Sequence, residues 1–195
     1  MIIGVTGPIG SGKTTVAKLF RRHWYNRIDA DEIGHDILKK NYVTYAKIVK
    51  FFGNGILDKN KDINRKKLGD IVFDNEKKLE KLNSLTHPII IKSIKNEISK
   101  IKKRCGGKTR MIIDAPLLLE TKMENLVDKV VVVKCSKKNI LKRLNKKYSK
   151  GKIEKILKRQ MPLEEKLKHA DFVVDNNKSI KHLEKQVERI IEMLK

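Results

Sequence analysis

Two kinds of segment alternate along most of the chain: short apolar runs and longer amphipathic stretches. The apolar runs end at glycine, carboxylate or amide residues, and their β-branched content predicts buried strands. The five predicted strands lie within residues 1–5, 26–31, 110–116, 128–136 and 171–177. The runs at 110–116 and 128–136 are continuously apolar, which is typical of central parallel strands that are covered on both faces.

Amphipathic segments separate these runs and predict helices. A helix that begins at Lys13 would place Val16, Leu19 and Phe20 on one face. The C-terminal segment repeats apolar residues at helical spacing, at Ile180, Leu183, Val187, Ile190, Ile191 and Leu194. This alternation of strand and helix predicts an α/β fold, with a parallel sheet flanked by helices and right-handed crossovers.

One stretch departs from that alternation. From Glu32 to Lys103 the pattern is helical throughout, punctuated at Gly53, Gly55 and Pro88. This insertion between strands predicts a helical domain that covers the substrate, and a basic helical segment broken near Gly151 predicts a small lid. The predicted division is a core of residues 1–31, 108–136 and 166–195, an insertion of 32–107 and a lid of 137–165.

The composition indicates one folded domain with an unusual charge. The 195 residues are 39% hydrophobic, but 46 Lys and Arg against 23 Asp and Glu give a formal net charge of +23. The basic residues are spread along the whole chain and aromatic residues are only 5%, so solvated helix faces explain most of the charge. Attraction of phosphate-rich small molecules is the second explanation, and dedicated nucleic-acid binding is a distant third.

Several features favour a cytoplasmic protein. No apolar run approaches the roughly 20 residues of a membrane-spanning helix, and the first ten residues carry no basic leader. Cys105 and Cys135 are far apart in sequence and form no CxxC pair. We therefore expect two buried thiols in a reducing cytosol.

The string GPIGSGKT contains the strongest chemical signal. Gly7, Gly12, Lys13 and Thr14 satisfy the spacing G-x-x-x-x-G-K-[ST], between a predicted strand and a predicted helix. Glycines let backbone N–H groups wrap around an anion at a helix N-terminus. Lysine can then reach the β- and γ-phosphates, while the threonine hydroxyl can bind Mg²⁺. A plain glycine-rich turn is the alternative, and we predict a nucleoside-triphosphate site.

A second metal ligand is predicted at Asp114, which closes the apolar strand MIID. P-loop proteins usually hold Mg²⁺, through water, at a carboxylate in this position. The alternative is an aspartate that only begins the turn before Pro116.

A P-loop alone does not choose between kinases, GTPases and nucleic-acid-dependent ATPases. The chain has no N/T-K-x-D string of the kind that guanine-specific switches use. A small-molecule kinase needs a carboxylate beside the acceptor hydroxyl, and the string DAD at Asp29 to Asp31 ends the strand after the P-loop helix. Capping of the following helix is a second role, which suits Asp31.

A kinase also needs cations that close over the transferring phosphoryl group. Arg143, Lys146 and Lys147 are predicted on one side of a helix, with Arg159 on the next. Such cations would neutralise the charge that develops during transfer. Plain solvation is the alternative for each of them.

Five separated strings together resemble the dephospho-CoA kinase family. They are GVTGPIGSGKTTVAKLF, DADEIGHDIL, THPIII, DAPLLLE and RQMPLEEKLKHADFVVDNN, and they run in the family's order and spacing over the whole chain. The resemblance implies a P-loop kinase core, an inserted helical CoA-binding domain and a small lid. It implies transfer of the ATP γ-phosphate to the ribose 3′-hydroxyl of dephospho-CoA, the last step of coenzyme A synthesis.

The resemblance also implies roles for single residues. Asp31 would be the catalytic base and Thr6 would lie near the reacting phosphates. Arg65 and His87 would face the acceptor, and Asn177 would approach the adenine end of the nucleotide. ATP would be held by Gly10, Ser11, Gly12, Lys13, Thr14 and Thr15. From the residues alone, a helix-terminal histidine before Pro88 is the favoured interpretation of His87.

Two positions depart from the family's pattern. Pro8 stands where glycine is usual, which removes one backbone donor from the loop. Lys147 stands where a lid arginine is common, which keeps the charge but loses the planar fork that grips phosphate. Arg143 or Arg159 would cover that loss.

The sequence therefore predicts an ATP- and Mg²⁺-dependent kinase of dephospho-CoA. Catalysis is assigned to Lys13, Asp31, Arg143 and Lys147, and the metal to Thr14 and Asp114. No membrane, nucleic acid or obligate protein partner is expected. The alternatives are another nucleoside or nucleotide kinase, or a basic nucleic-acid-dependent ATPase.

Overall fold

The computed structural model of the chain describes residues 1–73, 75–106 and 109–194. The chain divides into two compact units. One unit is Met1–Asp29 together with Ile98–Lys195, and the other is Ala30–Glu97. The predicted domain boundaries at 107, 108 and 195 lie outside the described residues.

A five-stranded parallel sheet forms the centre of the first unit, with strand order β2-β3-β1-β4-β5. The strands are β1 (Ile2–Thr6), β2 (Asn26–Asp29), β3 (Met111–Asp114), β4 (Lys129–Lys134) and β5 (Phe172–Asp175). All carboxyl ends lie at one edge of the sheet, where open α/β sheets bind their ligands. The predicted α/β class with a parallel sheet is confirmed.

Nine α-helices lie within the described residues. They are α1 (Lys13–Arg22), α2 (Ala30–Asp36), α3 (Val43–Phe52), α4 (Arg65–Phe73), α5 (Glu76–Cys105), α6 (Lys137–Leu144), α7 (Lys150–Arg159), α8 (Leu163–Lys168) and α9 (Ile180–Met193). Two short 3₁₀ helices lie at Asn54–Ile56 and Met123–Leu126.

Apolar strands and two amphipathic helices build the core of the first unit. Every residue of β1 is buried. Helix α1 packs on the sheet through the predicted apolar face, with Val16, Leu19 and Phe20 all buried. Helix α9 buries Leu183, Val187, Ile190 and Ile191 in the same cluster. Its predicted position Ile180 is exposed, because it lies in the first turn.

The second unit has a separate apolar core. Its buried centre consists of Ile48, Ile56, Ile63, Leu68 and Val72. These side chains come from α3, α4 and the turn between them, so the helical insertion predicted from periodicity has its own core.

The second strand is shorter than predicted. β2 ends at Asp29 and Ala30 begins α2, which places Asp31 in the first turn of a helix. Alanine is the best helix former, and a carboxylate in the first turn favours a helix through the macrodipole. The two aspartates of DAD therefore belong to different elements.

One predicted break is wrong, because helix α5 runs through Pro88 without ending. The break predicted near Gly151 is present between Leu144, which ends α6, and Lys150, which begins α7. Gly151 itself lies inside α7, and Ser149 caps that helix by accepting a bond from the Lys152 N–H at 3.4 Å.

Because α6 ends at Leu144, two of the predicted lid cations lie outside the helix that was predicted to carry them. Lys146 and Lys147 follow the end of α6, whereas Arg143 lies within it. Their placement on one helical face is therefore wrong.

In the part of the chain that the structure describes, no helix combines the length and the apolar character needed to cross a membrane.

Candidate active site

The glycine loop joins the central strand β1 to α1. Gly7 has φ 148° and Gly12 has φ 99°, backbone conformations that residues with a side chain rarely adopt. A Cβ at Gly7 would overlap the Val133 carbonyl, and one at Gly12 would overlap the Asn176 amide. The glycines are thus required both for the turn and for the close approach of neighbouring strands' ends.

One side of the loop is bound through its carbonyl groups. The Arg143 guanidinium donates to the Gly10 and Ser11 carbonyls at 3.1 and 3.2 Å, and to the Asn176 carbonyl at 2.9 Å. The Asn176 side chain donates to the Ser11 carbonyl at 2.7 Å. Since the carbonyl and N–H of one peptide unit point in opposite directions, these bonds turn the Gly12 N–H to the other side of the loop.

Lys13 begins α1 and is buried. Its Nζ donates to the Pro8 carbonyl at 3.0 Å, and the same carbonyl accepts the Ser11 N–H at 3.1 Å. The ammonium group therefore lies across the loop. Thr14 and Thr15 follow it in the first turn of α1 with exposed side chains. The N-terminus of α1, the glycine loop and Lys13 together form a site that suits a phosphate group.

Two carboxylates lie side by side at the same edge of the sheet. Asp29 and Asp114 are register partners at the ends of β2 and β3. Arg27 Nη2 donates to Asp29 Oδ2 at 2.5 Å and to Asp114 Oδ2 at 2.7 Å. The predicted metal ligand Asp114 is thus buried and paired with a guanidinium.

A second buried ion pair lies behind the end of β1. The Lys166 side chain is fully buried, and its Nζ donates to Glu120 Oε1 and Oε2 at 2.8 and 2.9 Å. It also donates to the Pro116 carbonyl at 3.1 Å and lies 3.5 Å from Thr6 Oγ1. The Thr6 hydroxyl donates to the same carbonyl at 3.1 Å. Thr6 is therefore held by a buried network beside the loop.

The segment after α7 contacts the glycine loop directly. The Ile9 N–H donates to Gln160 Oε1 at 2.8 Å, and the Met161 N–H donates to Glu120 Oε1 at 2.9 Å. This segment ties the carboxyl end of α7 to both the loop and the turn after β3.

Asn177 connects the end of β5 to the start of α6. Its Oδ1 accepts the Ser136 N–H at 2.8 Å and the Asn139 side chain at 3.2 Å. Its own N–H donates to Asp175 at 2.9 Å. Partial burial raises the pKa of Asp175, but the bonds from Asn177 and Lys134 outweigh that effect and leave this pKa below its usual value.

The remaining predicted site residues belong to the second unit. Asp31 lies in α2, and Arg65 begins α4. Arg65 Nη2 lies 2.5 Å from His35 Nε2 on α2. His87 lies within α5, not at its end, and burial lowers its pKa, so its imidazole is neutral at neutral pH.

The predicted lid cations are exposed. Lys147 Nζ lies 5.4 Å from the centre of the Tyr148 ring, a cation–π contact. Arg159 ends α7 with an exposed side chain.

Comparison with known proteins decides between the candidate classes. The profile of the family described as CoaE, dephospho-CoA kinase, matches residues 1–182. The chain is 43% identical to a dephospho-CoA kinase of Aquifex aeolicus over 193 residues, which is 98% of this chain and 96% of that protein.

The chain belongs to the dephospho-CoA kinase family.

Solved structures agree with this membership. A dephospho-CoA kinase from Campylobacter jejuni matches with a TM-score of 0.71 and 32% identity, over 99% of this chain and 96% of that one. TT1252 from Thermus thermophilus matches with a TM-score of 0.82 and 26% identity, over 100% of this chain and 98% of that one. The predicted P-loop kinase class is confirmed, with ATP as phosphoryl donor and a small-molecule substrate, and a nucleic-acid-dependent ATPase is not favoured.

Sequence reasoning missed four residues of the hydrogen-bond networks around the glycine loop and the strand ends: Arg27, Glu120, Gln160 and Lys166. Two of them, Lys166 and Arg27, stand out in the sequence pattern. Lys166 stands where the apolar spacing of α8 expects an inward residue, beside Leu163 and Leu167. Arg27 is a charge inside a short strand that ends in carboxylates. Glu120 and Gln160 do not stand out, because their partners are 46 and 151 residues away.

The donor atoms at this edge suit Mg²⁺. The described residues contain no group of three or more His, Cys, Asp and Glu side chains that could hold a metal. Mg²⁺ in kinases needs only one or two oxygen ligands from the protein, since phosphates and water supply the rest. The hydroxyl of Thr14 and the carboxylate of Asp114 are ligands of that kind, so the residues present fit the metal.

Proposed function

We propose that this chain transfers the γ-phosphate of ATP to the ribose 3′-hydroxyl of dephospho-CoA through the residues predicted above. The observation that supports this best is the loop between β1 and α1, whose carbonyls are bound by Arg143 and Asn176 while Lys13 crosses its other side. Family membership supplies the substrate class.

The glycine loop binds ATP. Backbone N–H groups of Gly10 to Thr15 and the ammonium of Lys13 hold the β- and γ-phosphates. In phosphoryl transfer, negative charge spreads over the equatorial and leaving oxygens, so positioned donors there lower the barrier. Lys13 contributes to both binding and catalysis, while Asn177 lies toward the adenine end.

Asp31 acts as the general base. Its carboxylate accepts the proton of the 3′-hydroxyl while that oxygen forms a bond to the γ-phosphorus and the bond to the β-γ bridging oxygen breaks. ADP leaves with the bonding electron pair. Thr6, held by Lys166 and the Pro116 carbonyl, lies beside the loop near the reacting phosphates.

Arg65 and His87 bind the acceptor. A guanidinium grips phosphate oxygens through two parallel bonds, which suits the pyrophosphate of dephospho-CoA. His35 orients Arg65 through the contact at 2.5 Å. The neutral imidazole of His87 offers one donor and one acceptor without adding charge. Both residues lie in the helical unit that the sequence predicted to bind CoA.

Thr14 and Asp114 would hold Mg²⁺, the second directly or through water. The metal, when bound, neutralises phosphate charge and polarises the γ-phosphoryl group.

Arg143 and Lys147 are the cations of the proposed lid, residues 137–165. Arg143 supports the loop from its carbonyl side. Lys147 lies on the segment between α6 and α7, where a change in that segment's conformation would bring an ammonium to the γ-phosphate.

We place the reaction in the cytoplasm. Both cysteines are free thiols, which supports a reducing compartment. Cys135 is buried as predicted, but Cys105 is exposed, so the prediction of two buried thiols is wrong for Cys105.

The direct test is an assay with ATP and a panel of dephospho-CoA, AMP, CMP and adenosine. We expect ADP release only with dephospho-CoA, and a product that gains one phosphoryl group by mass spectrometry. A 3′-deoxy analogue of dephospho-CoA should give no product. Turnover of AMP or CMP alone, or phosphorylation of the 3′-deoxy analogue, would refute the proposal.

A further inference from the structure

The Arg27 guanidinium lies between the carboxylates of Asp29 and Asp114 and bonds to both. We propose that Arg27 is a built-in counter-ion that keeps free divalent metal away from Asp29 and Asp114, so that the metal enters the site together with nucleotide. This inference rests on the proposed assignment of Asp114 to the metal.

The geometry of the three residues is specific. Asp29 and Asp114 are register partners on adjacent parallel strands, so their carboxylates leave the sheet side by side. A single guanidinium nitrogen of Arg27 donates to one oxygen of each, at 2.5 and 2.7 Å. The bridging cation thus comes from the strand that carries Asp29, two residues before it.

Burial makes this bridge persistent. The side chains of Arg27 and Asp29 are 16% and 22% exposed, and that of Asp114 is only 4% exposed. Arg27 Nε is buried with no hydrogen-bond partner within the described residues. The guanidinium therefore lies where it bonds to both carboxylates, even though its Nε–H donor is left without a hydrogen bond to any described residue. An arginine does not deprotonate in proteins, so the positive charge is permanent.

The charge balance determines what can bind. Two carboxylates and one guanidinium carry a net charge of −1, which is weak attraction for a divalent ion that must also lie close to the guanidinium. Nucleotide phosphates add several negative charges at the adjoining loop and reverse that balance. A metal that already carries phosphate oxygens is therefore accepted, whereas a hydrated metal alone is not.

Mn²⁺ binding to the nucleotide-free protein, measured by electron paramagnetic resonance, tests this inference without turnover. The wild-type protein should bind Mn²⁺ only weakly. Arg27→Gln removes the charge but keeps an amide donor for Asp114, and it should tighten Mn²⁺ binding at least about tenfold. Arg27→Lys keeps the charge and should remain as weak as the wild type.

A double variant locates the ion. Adding Asp114→Asn to Arg27→Gln should abolish the gain in Mn²⁺ affinity, because the pair of uncompensated carboxylates is then lost. A folded Arg27→Gln protein that binds Mn²⁺ no more tightly than the wild type would overturn the inference, as would a gain that survives Asp114→Asn.

The wild-type protein alone also decides the question if Arg27→Gln does not fold. Tight Mn²⁺ binding without nucleotide, with a dissociation constant near 10 μM or below (about 7 kcal/mol of binding free energy), would contradict the inference. This titration contains no acceptor substrate. Failure of the proposed function would instead appear as absent dephospho-CoA turnover, so the two failures are distinguishable.

Discussion

Both edges of the sheet carry charged residues, but the two edges use them differently. At the amino edge, Asp128 accepts the Ile2 N–H at 2.7 Å and Asp171 accepts the Val130 N–H at 2.8 Å. These carboxylates complete the hydrogen bonds of strand ends, and the Asp128 side chain is 62% exposed. Lys129 pairs with Asp171 at 2.8 Å as a surface ion pair.

At the carboxyl edge, three charged residues beside the loop are buried. Lys13, Lys166 and Asp114 are all less than a tenth exposed. Lys13 donates to the Pro8 carbonyl, Lys166 donates to the Pro116 carbonyl, and Asp114 accepts from Arg27. The first turn of α1, by contrast, has exposed threonines. The difference shows that burial and partners, not the net charge of +23, distinguish Lys13 and Lys166 from the solvated lysines.

The largest effect is expected at Lys13. Lys13→Met should lower kcat/KM for dephospho-CoA phosphorylation by about 10³-fold, the magnitude that follows loss of one positioned donor to developing charge. Lys18→Met, an exposed position on the same helix, is the matched control and should leave kcat/KM within about twofold of the wild type. If Lys13→Met lowered kcat/KM only a few-fold, the buried lysine at the carboxyl edge would be no more important for activity than an exposed one.

A smaller effect, on stability, is expected at Lys166. Lys166→Met leaves the largely buried Glu120 carboxylate without its cationic partner and should lower the free energy of unfolding by about 3 kcal/mol. Lys168, on the same short helix, pairs with Glu165 at 2.8 Å on the surface. Lys168→Met should cost less than about 1 kcal/mol. Urea denaturation of both variants measures the two losses of unfolding free energy. Equal losses would show that the buried ion pair stabilises the protein no more than the surface pair.

The smallest effect is expected at the amino edge and depends on pH. The Lys129 side chain and the Val130 N–H hold the pKa of Asp171 below its usual value. The ionised carboxylate therefore contributes stability above the unfolded-state pKa, near 4, and that contribution is lost as pH falls through the folded-state pKa.

Asp171→Asn should accordingly be less stable than the wild type at pH 7 and approach it in stability near pH 3. Urea denaturation at the two pH values measures this difference. A difference in unfolding free energy that is unchanged between pH 7 and pH 3 would contradict the assignment.

The parts of the fold that depend on local pattern were predictable from the sequence. The apolar runs located β1, β3 and β4, and the spacing of Gly7, Gly12 and Lys13 located the phosphate loop. Local pattern failed at Pro88, which does not end α5. A helix of 30 residues tolerates the one backbone bond that a proline removes.

The buried ion pairs could not be predicted for a related reason. Lys166 is one of 46 basic residues, and only its contact with Glu120 distinguishes it from the solvated ones. Likewise, the role of Arg27 depends on its hydrogen bond to Asp114, which is 87 residues away along the chain. Pairings across such distances depend on strand order, which hydrophobic periodicity does not contain.

The measurement that tests the central claim most directly is a crystal structure with a non-hydrolysable ATP analogue and dephospho-CoA bound together. We expect the β- and γ-phosphates on the N–H groups of the loop, and the ribose 3′-oxygen about 3 Å from the Asp31 carboxylate. Triphosphate bound elsewhere, or an Asp31 carboxylate turned away from the 3′-oxygen in that closed complex, would contradict the account.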